Sequence, residues 1–314
     1  MIITSLITII CCLLAIAFFT IAERKLLASI QRRKGPNVTG FWGILQAFAD
    51  GLKLLLKEVV IPTRANWLLF LASPCLSLII GLLIWVFIPF SELNYLTNFD
   101  YSLLLIYAFS SLGVYGIIGA GWTSNSKYAF LGGLRSAAQM ISYEVSIALL
   151  LLPVAACASS FNLIEIVEKQ NSGTWYIYPL LPVFIIFFIS VLAESNRAPF
   201  DLPESEAEIV AGYNVEYSSM TFAMFFLAEY SNMLWLSAIT AMLFLGGWSS
   251  PITLLPSSSL WFISKTLIIS FAIIKVRANY PRYRYDQLMN LGWKIFLPFA
   301  IGYFIFITGL LIIL

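Results

Sequence analysis

Histidine is absent from all 314 residues, and charged residues make up only 11% of them. The first absence removes His-ligated zinc, His-ligated haem and every histidine-based triad or general base. The second leaves less than half of the ~25% charge typical of a soluble domain, which excludes an ordinary soluble enzyme. Lys and Arg number 18 against 16 Asp and Glu, and a net charge of +2 is too small to point to nucleic acid. Cysteine is scarce too. Cys11, Cys12, Cys75 and Cys157 all lie in apolar runs with no Cys-x-x-Cys spacing. They suggest neither a thiolate-bound iron–sulfur cluster nor a disulfide framework, and read as buried small hydrophobes. No metal site is expected. The amino terminus has no basic stretch before its apolar run, no small-residue cleavage motif and no Arg- and Ser-rich character, so no cleaved targeting segment is expected.

What is abundant is apolar surface: 60% of residues, with a mean hydropathy of +0.89. A bilayer-spanning helix needs roughly 20 such residues. Eight candidates stand out, over residues 2–22, 67–90, 101–122, 136–159, 175–193, 218–245, 256–274 and 295–314. The fourth carries Glu144 and the sixth Glu229. The seventh carries Lys265, and its apolar core is 260–274. These runs lack alternation and are about twice the length of a barrel strand. The expected fold is therefore an all-α integral membrane protein, a single transmembrane domain over 1–314. No internal repeat of the kind common in transporters is evident.

Basic residues set the orientation. Loops 23–66, 123–135, 194–217 and 275–294 hold 16 of them, whereas loops 91–100, 160–174 and 246–259 hold only Lys169. The four basic loops are expected to face the cytoplasm or mitochondrial matrix, with both termini on the opposite side. Positive-inside anchoring explains the charge of the first loop but not its pattern. Between Phe41 and Glu58, Gln46, Asp50, Lys53 and Lys57 form one polar stripe at helical spacing, opposite Ile44, Leu45, Phe48, Leu52, Leu55 and Leu56. This predicts a helix lying in the membrane interface. Such a helix can form the lip of an opening for a lipid-like molecule.

Loop 194–217 has six acids and one base, Arg197, on the side where the other loops are basic. Asp201 and Glu204 fit a capping box with Pro203 in the first turn, predicting a short helix over about 202–211 that stops at Gly212. Flanking apolar residues point to a packed cluster, and clustered carboxylates in low dielectric can hold and release protons near neutral pH. Glu144 lies ~13 Å past Arg135, Glu229 ~16 Å past Ser218, and Lys265 ~15 Å before Lys275, at 1.5 Å per residue. A charge at that depth costs on the order of 3 kcal/mol, so these groups are expected to pair or to face water. A polar path for protons and a single buried Glu–Lys pair both satisfy that demand.

Two stretches carry a resemblance. AERKLLASIQRRKGPNVTGFWGILQAFADGLKLLLKE (22–58) and AESNRAPFDLPESEAEIVAGYNVEY (193–217) resemble the signatures of the NADH dehydrogenase subunit 1 family, the quinone-site membrane subunits of respiratory complex I. The segment GGLRSAAQMISYE (132–144) agrees, and the likeness covers essentially the whole chain. It implies a role in proton-pumping NADH:ubiquinone oxidoreductase, with ubiquinone as substrate. FMN and iron–sulfur clusters would sit on partner subunits. Hydrophilic quinone-module subunits would rest on the basic-side loops, and other membrane-arm subunits would lie alongside. By the same resemblance Arg24, Lys25, Phe41, Trp42, Phe48 and Asp50 lie near a quinone tunnel's entrance. Arg197, Phe200, Asp201 and Glu204 line its inner part. Tyr143, Glu144, Glu194, Glu206, Glu208, Glu216, Glu229 and Lys265 continue as a proton or coupling path. The chain itself has no nucleotide motif, so electrons must come from a partner. The equivalent subunit of a membrane-bound hydrogenase, a stand-alone ion transporter and a purely structural membrane anchor are the competing readings. The composition suits the mitochondrial inner membrane, with the termini in the intermembrane space, and also a bacterial plasma membrane.

Overall fold

The computed structural model describes residues 2–92, 95–201, 212–250 and 258–313. Among the described residues every regular element is helical, and there is no strand. In chain order the helices are α1 Ile2–Ile30, α2 Gln46–Leu56, α3 Trp67–Leu83, α4 Ser102–Thr123, α5 Lys127–Ala158 and α6 Leu163–Ser172. They continue as α7 Leu181–Glu194, α8 Ser219–Phe244, α9 Ser259–Asn279, α10 Tyr285–Asn290 and α11 Leu297–Ile313. A π-helical turn, Leu291–Phe296, joins the last two. Among the described residues seven helical stretches are long and apolar enough to cross a membrane. The remaining apolar helix, α7, has 14 residues, and ~21 Å at 1.5 Å per residue falls short of a ~30 Å hydrocarbon core. The segment expected to form a short helix over 202–211 lies outside the described residues, as do Glu204, Glu206 and Glu208.

Helices run past the hydropathy boundaries. α1 continues through Glu23, Arg24 and Lys25 to Ile30, and α5 starts at Lys127, nine residues before 136. Charge ends an apolar run without ending helical propensity, and Ser126 caps α5 by accepting the Ala129 N–H at 3.3 Å. The loop 160–174 holds α6. Asn162 caps it by accepting from Ile164 N at 3.0 Å, and it buries Leu163, Ile164, Ile166, Val167 and Gln170. Its other face carries Glu165, Glu168 and Lys169, so its mean hydropathy hides it from a span search.

α8 is the centre of the assembly. It packs on α1, α3 and α9, and residues 235–244 are buried throughout, with Trp235 enclosed. α4 packs between α3 and α5, and α5 packs on α7 and α11. Small residues set these distances. A methyl group on Gly116 would stand 3.0 Å from Ser77 Cβ, and one on Gly121 would stand 2.8 Å from the carbonyl oxygen of Ala129. By contrast, a methyl on Gly302 in α11 meets nothing within 4 Å. Gly121→Ala should therefore cost about 1–3 kcal/mol by overpacking and lower the melting temperature of the detergent-solubilised protein, while Gly302→Ala leaves it unchanged. Equal melting curves for the two variants would refute the close α4–α5 packing.

Candidate functional site

The polar residues of the bundle gather around two cavities. The first is a cleft of about 290 Å³ between α1, α2 and α8. Ala17, Thr20 and Arg24 of α1 form one wall, Ala47, Asp50, Gly51 and Leu54 of α2 a second, and Phe222, Ala223, Phe226, Leu227 and Tyr230 of α8 the third. Spacings of three and four residues put each set on a single helix face. Arg24 pairs with Asp50 at 2.7 Å across the lip, and Gln46 donates to the same carboxylate at 2.8 Å. Phe48 packs edge-on against Phe18, outside the lining. Lys25, Phe41 and Trp42 are not in the cleft. Lys25 donates to the Trp42 carbonyl at 2.5 Å, and Phe41 stacks on Trp42 at 5.6 Å, both rings exposed. Lys25 and Trp42 border a separate cationic depression that also includes Arg33 and Lys34.

At the inner end of the cleft the Arg197 guanidinium lies 4.6 Å above the ring of Tyr230. Glu23, a buried residue of α1, pairs with Arg197 at 3.4 Å and with Arg277 at 2.5 Å. The stretch of chain that carries Arg197 is itself buried. Gln139 donates to the carbonyls of Ala193 and Phe200, each at 2.8 Å, and Ala198–Pro199 is a cis peptide. Asp201 meets Arg282 at 3.8 Å, and Phe200 stacks on Tyr283 at 5.5 Å. These acids and bases are therefore matched across segments distant in sequence. Glu23, Tyr230, Arg277, Arg282 and Tyr283 are functional-site neighbours that the sequence alone does not single out. Glu23 looks like one more charge of an anchor run, and the residues of 275–294 look like topology signals alone.

The second cavity, a small one of about 30 Å³, lies inside the bundle among α3, α4, α5, α7 and α8. Glu194 and Glu229 line it with Ser77, Ser110, Tyr213 and Asn232. Tyr213 donates to Glu229 at 2.8 Å. Glu144 and Glu194 lie within electrostatic reach of each other and of Tyr107. Three of the expected path carboxylates are thus brought to one place. Glu216 is half-buried beside this region, next to Tyr217, which stacks on Phe70 at 4.0 Å. Burial pushes the Tyr217 phenol up from its usual range, with the Thr123 hydroxyl bond working against that rise.

Two expected members lie elsewhere. Tyr143 donates to the Leu288 carbonyl at 2.8 Å and packs against Phe200 and Phe296, within the aromatic group rather than among the carboxylates. Lys265 is bound by carbonyls, not by a glutamate. Its ammonium donates to Leu245 at 2.6 Å, Gly247 at 3.0 Å and Ser249 at 2.6 Å, and lies 4.4 Å above Trp175. Gly246 and Gly247 both take positive φ, which turns these carbonyls inward. That cage begins a full α8 half-length beyond Glu229, about 24 Å along the helix. Neither arm of the expected Glu–Lys pair is near the other.

α8 is the common wall. Phe222, Ala223, Phe226, Leu227 and Tyr230 face the cleft, while Phe225, Ala228, Glu229, Asn232, Trp235 and Leu236 face the inner cavity. Glu229 and Tyr230 are neighbours in sequence and open to different cavities. Among the described residues no group of three or more acids or cysteines is placed to hold a metal ion.

These features define a polytopic helical membrane protein with an apolar, cation-lipped cleft and an internal carboxylate cavity. The family model described as NADH dehydrogenase matches residues 3–308, and the chain belongs to that family. It is 54% identical over 304 residues to the NADH-ubiquinone oxidoreductase chain 1 of Chondrus crispus, covering 96% of this chain and 93% of that one. It is 56% identical over 305 residues to the chain 1 protein of Arabidopsis thaliana, covering 96% and 93%. It is 54% identical over 302 residues to a subunit of the NADH-quinone oxidoreductase of Rhodospirillum rubrum, covering 95% and 90%.

Removing one member of a buried charge group leaves the others uncompensated. Glu23→Gln should therefore destabilise by on the order of 3 kcal/mol, against at most about 1 kcal/mol for Arg24→Gln, whose pair is solvent-screened. Thermal unfolding of the two variants in the same detergent checks this. Similar melting shifts would mean that Glu23 is not the buried counter-ion of two arginines.

Proposed function

We propose that this chain is the quinone-site membrane subunit of a proton-pumping NADH:ubiquinone oxidoreductase, and that it spans the membrane eight times. α7 would be the short member of that set. The observation that carries the reading is α8, one helix walling both an apolar cleft and a carboxylate cavity. Family membership and the names of the relatives support the reaction. The cleft suits an isoprenoid-like tail, since its walls are aliphatic and aromatic while its polar groups are confined to the lip and the inner end. Arg24 and Asp50 would flank the tail at the mouth, with Phe48 behind them. Arg197, Asp201, Phe200 and Glu204 would lie toward the quinone head.

Reduction of a quinone takes two electrons and two protons. Electrons would arrive from iron–sulfur clusters, fed by FMN, on hydrophilic partners seated on the basic loops. Residues of this chain would do the rest. Tyr230 and the Glu23–Arg197–Arg277 group would fix the charge at the cleft's inner end. A change of charge there would be felt across α8 by Glu229, then by Glu194 and Glu144, with Glu206, Glu208 and Glu216 as the link along the acidic loop. Lys265 would anchor α8 rather than carry protons. The relatives include chains named for mitochondrial-type and bacterial enzymes. We place this one in the mitochondrial inner membrane with both termini in the intermembrane space; a bacterial plasma membrane is the alternative.

The test is a native gel of mildly solubilised membranes, probed for this chain and assayed on the same band for NADH:quinone reduction with and without a quinone-site inhibitor. Co-migration with inhibitor-sensitive activity is expected. Glu194→Gln and Glu229→Gln should each lower quinone-dependent turnover at least about tenfold, about 1.4 kcal/mol of barrier, while leaving assembly and NADH oxidation by a water-soluble acceptor unchanged. Full turnover and pumping in both assembled variants would support a structural anchor instead.

A further inference from the structure

α2 forms one wall of the cleft yet buries none of its own residues. It is tied to α1 by the exposed Arg24–Asp50 pair and the Phe18–Phe48 ring contact. Its far end is held differently. The buried hydroxyl of Ser219 is shared between the carbonyls of Leu54, at 2.8 Å, and Lys57, at 2.6 Å. Ser218 Oγ accepts the Val60 N–H at 3.1 Å. The final carbonyls of a helix have no partner within it, so the Ser219 hydroxyl completes the end of α2, and Ser218 holds the chain just beyond it. Ser219 takes φ +60°, a region that non-glycine residues rarely occupy, and this bend at the start of α8 accompanies the hydroxyl's reach back to α2. Leu54 and Phe222 both line the cleft, and Phe222 lies about one turn beyond Ser219. One hydroxyl therefore joins two of the three cleft walls at their common end.

We infer that Ser219 is a positioning residue for the cleft: by tying the end of α2 to the start of α8 it sets the width of the corridor and so the fit of a long apolar tail. The inference rests on the quinone reading of the cleft. Ser219 touches no reacting atom. Its absence would free α2 to swing outward and loosen the grip on the tail, with the chemistry at the inner end unaltered.

Two substitutions separate the hydroxyl from the backbone. Ser219→Ala removes the hydroxyl and keeps the strained φ; Ser219→Gly removes the hydroxyl and relieves it. Both would be made in the assembled oxidoreductase. Hydrogen exchange of peptide 46–60 and steady-state kinetics with a long-tailed and a short-tailed ubiquinone would then be measured. Both variants should exchange severalfold faster over 46–60. Both should raise KM for the long-tailed quinone severalfold, while kcat and the short-tailed KM stay unchanged. If Ser219→Gly matches the parent while Ser219→Ala does not, backbone geometry rather than the hydroxyl matters and the inference falls. It falls equally if exchange quickens but the long-tailed KM does not move. Should either variant fail to assemble, Ser218→Ala removes only the Val60 bond and should give a smaller change in the same direction; no change there overturns the clasp. A parent complex without inhibitor-sensitive quinone reduction would sink the quinone reading and the width-setting role with it, while the exchange result would still decide separately whether the serines hold α2.

Discussion

Charge placed at bilayer depth must be answered locally, and that constraint organises this protein. Its inward-facing ionic groups draw partners from different helices and loops. Glu23 lies between two arginines, Asp201 meets Arg282, Glu229 accepts from Tyr213, and Lys265 sits among three carbonyls. Such partnerships do not greatly stabilise a fold, because desolvation offsets much of the attraction. Their effect is to specify it. α1 cannot rotate without exposing Glu23 to lipid, and the buried segment around Phe200 cannot leave without stranding two charges. The bundle is fixed by where its few polar atoms must go.

From that arrangement follows the double face of α8. A helix with Tyr230 on one side and Glu229 on the next is a short electrical path between an apolar corridor and a carboxylate cavity. At helical geometry the two side chains project about 100° apart, so a single residue step separates the two environments. On the proposed reading, coupling between them would need no long relay of packed residues. A change in charge at Arg197 or Tyr230 would reach Glu229 through a low-dielectric wall, where Coulomb interactions are screened far less than in water.

Much of the fold is legible in the sequence because hydropathy is a direct readout of lipid exposure. The long apolar runs, the polar stripe of residues 46–57 and the depth of Glu144 and Glu229 are all local properties, and periodicity reports them. What escapes is pairwise. Nothing in the string around Glu23 says that its partners are 174 and 254 residues away, and nothing marks Tyr230 as lying under Arg197. A Glu–Lys pair is a fair expectation from depth alone, but Lys265 lies near the start of α9, where its ammonium meets three carbonyls. α6 is hidden because amphipathic helices average to neutral. Arg24 and Asp50 line the cleft and Arg197 lies over Tyr230 at its inner end, whereas spacing alone cannot tell Lys25 and Trp42, which face away, from Asp50.

The two lysines apart from the basic loops have a related fate. Lys265 binds the carbonyl turn after α8, and Lys169 of α6 binds the Ala158 carbonyl and the Ser159 hydroxyl at the end of α5. The helices that carry Glu144 and Glu229 are thus each closed by an ammonium at their negative pole. The consequence is local: each ammonium is held by the end of a preceding helix and so ties that end to the element that follows it. Replacing either stopper by a neutral residue would loosen that join while leaving the two helices themselves intact.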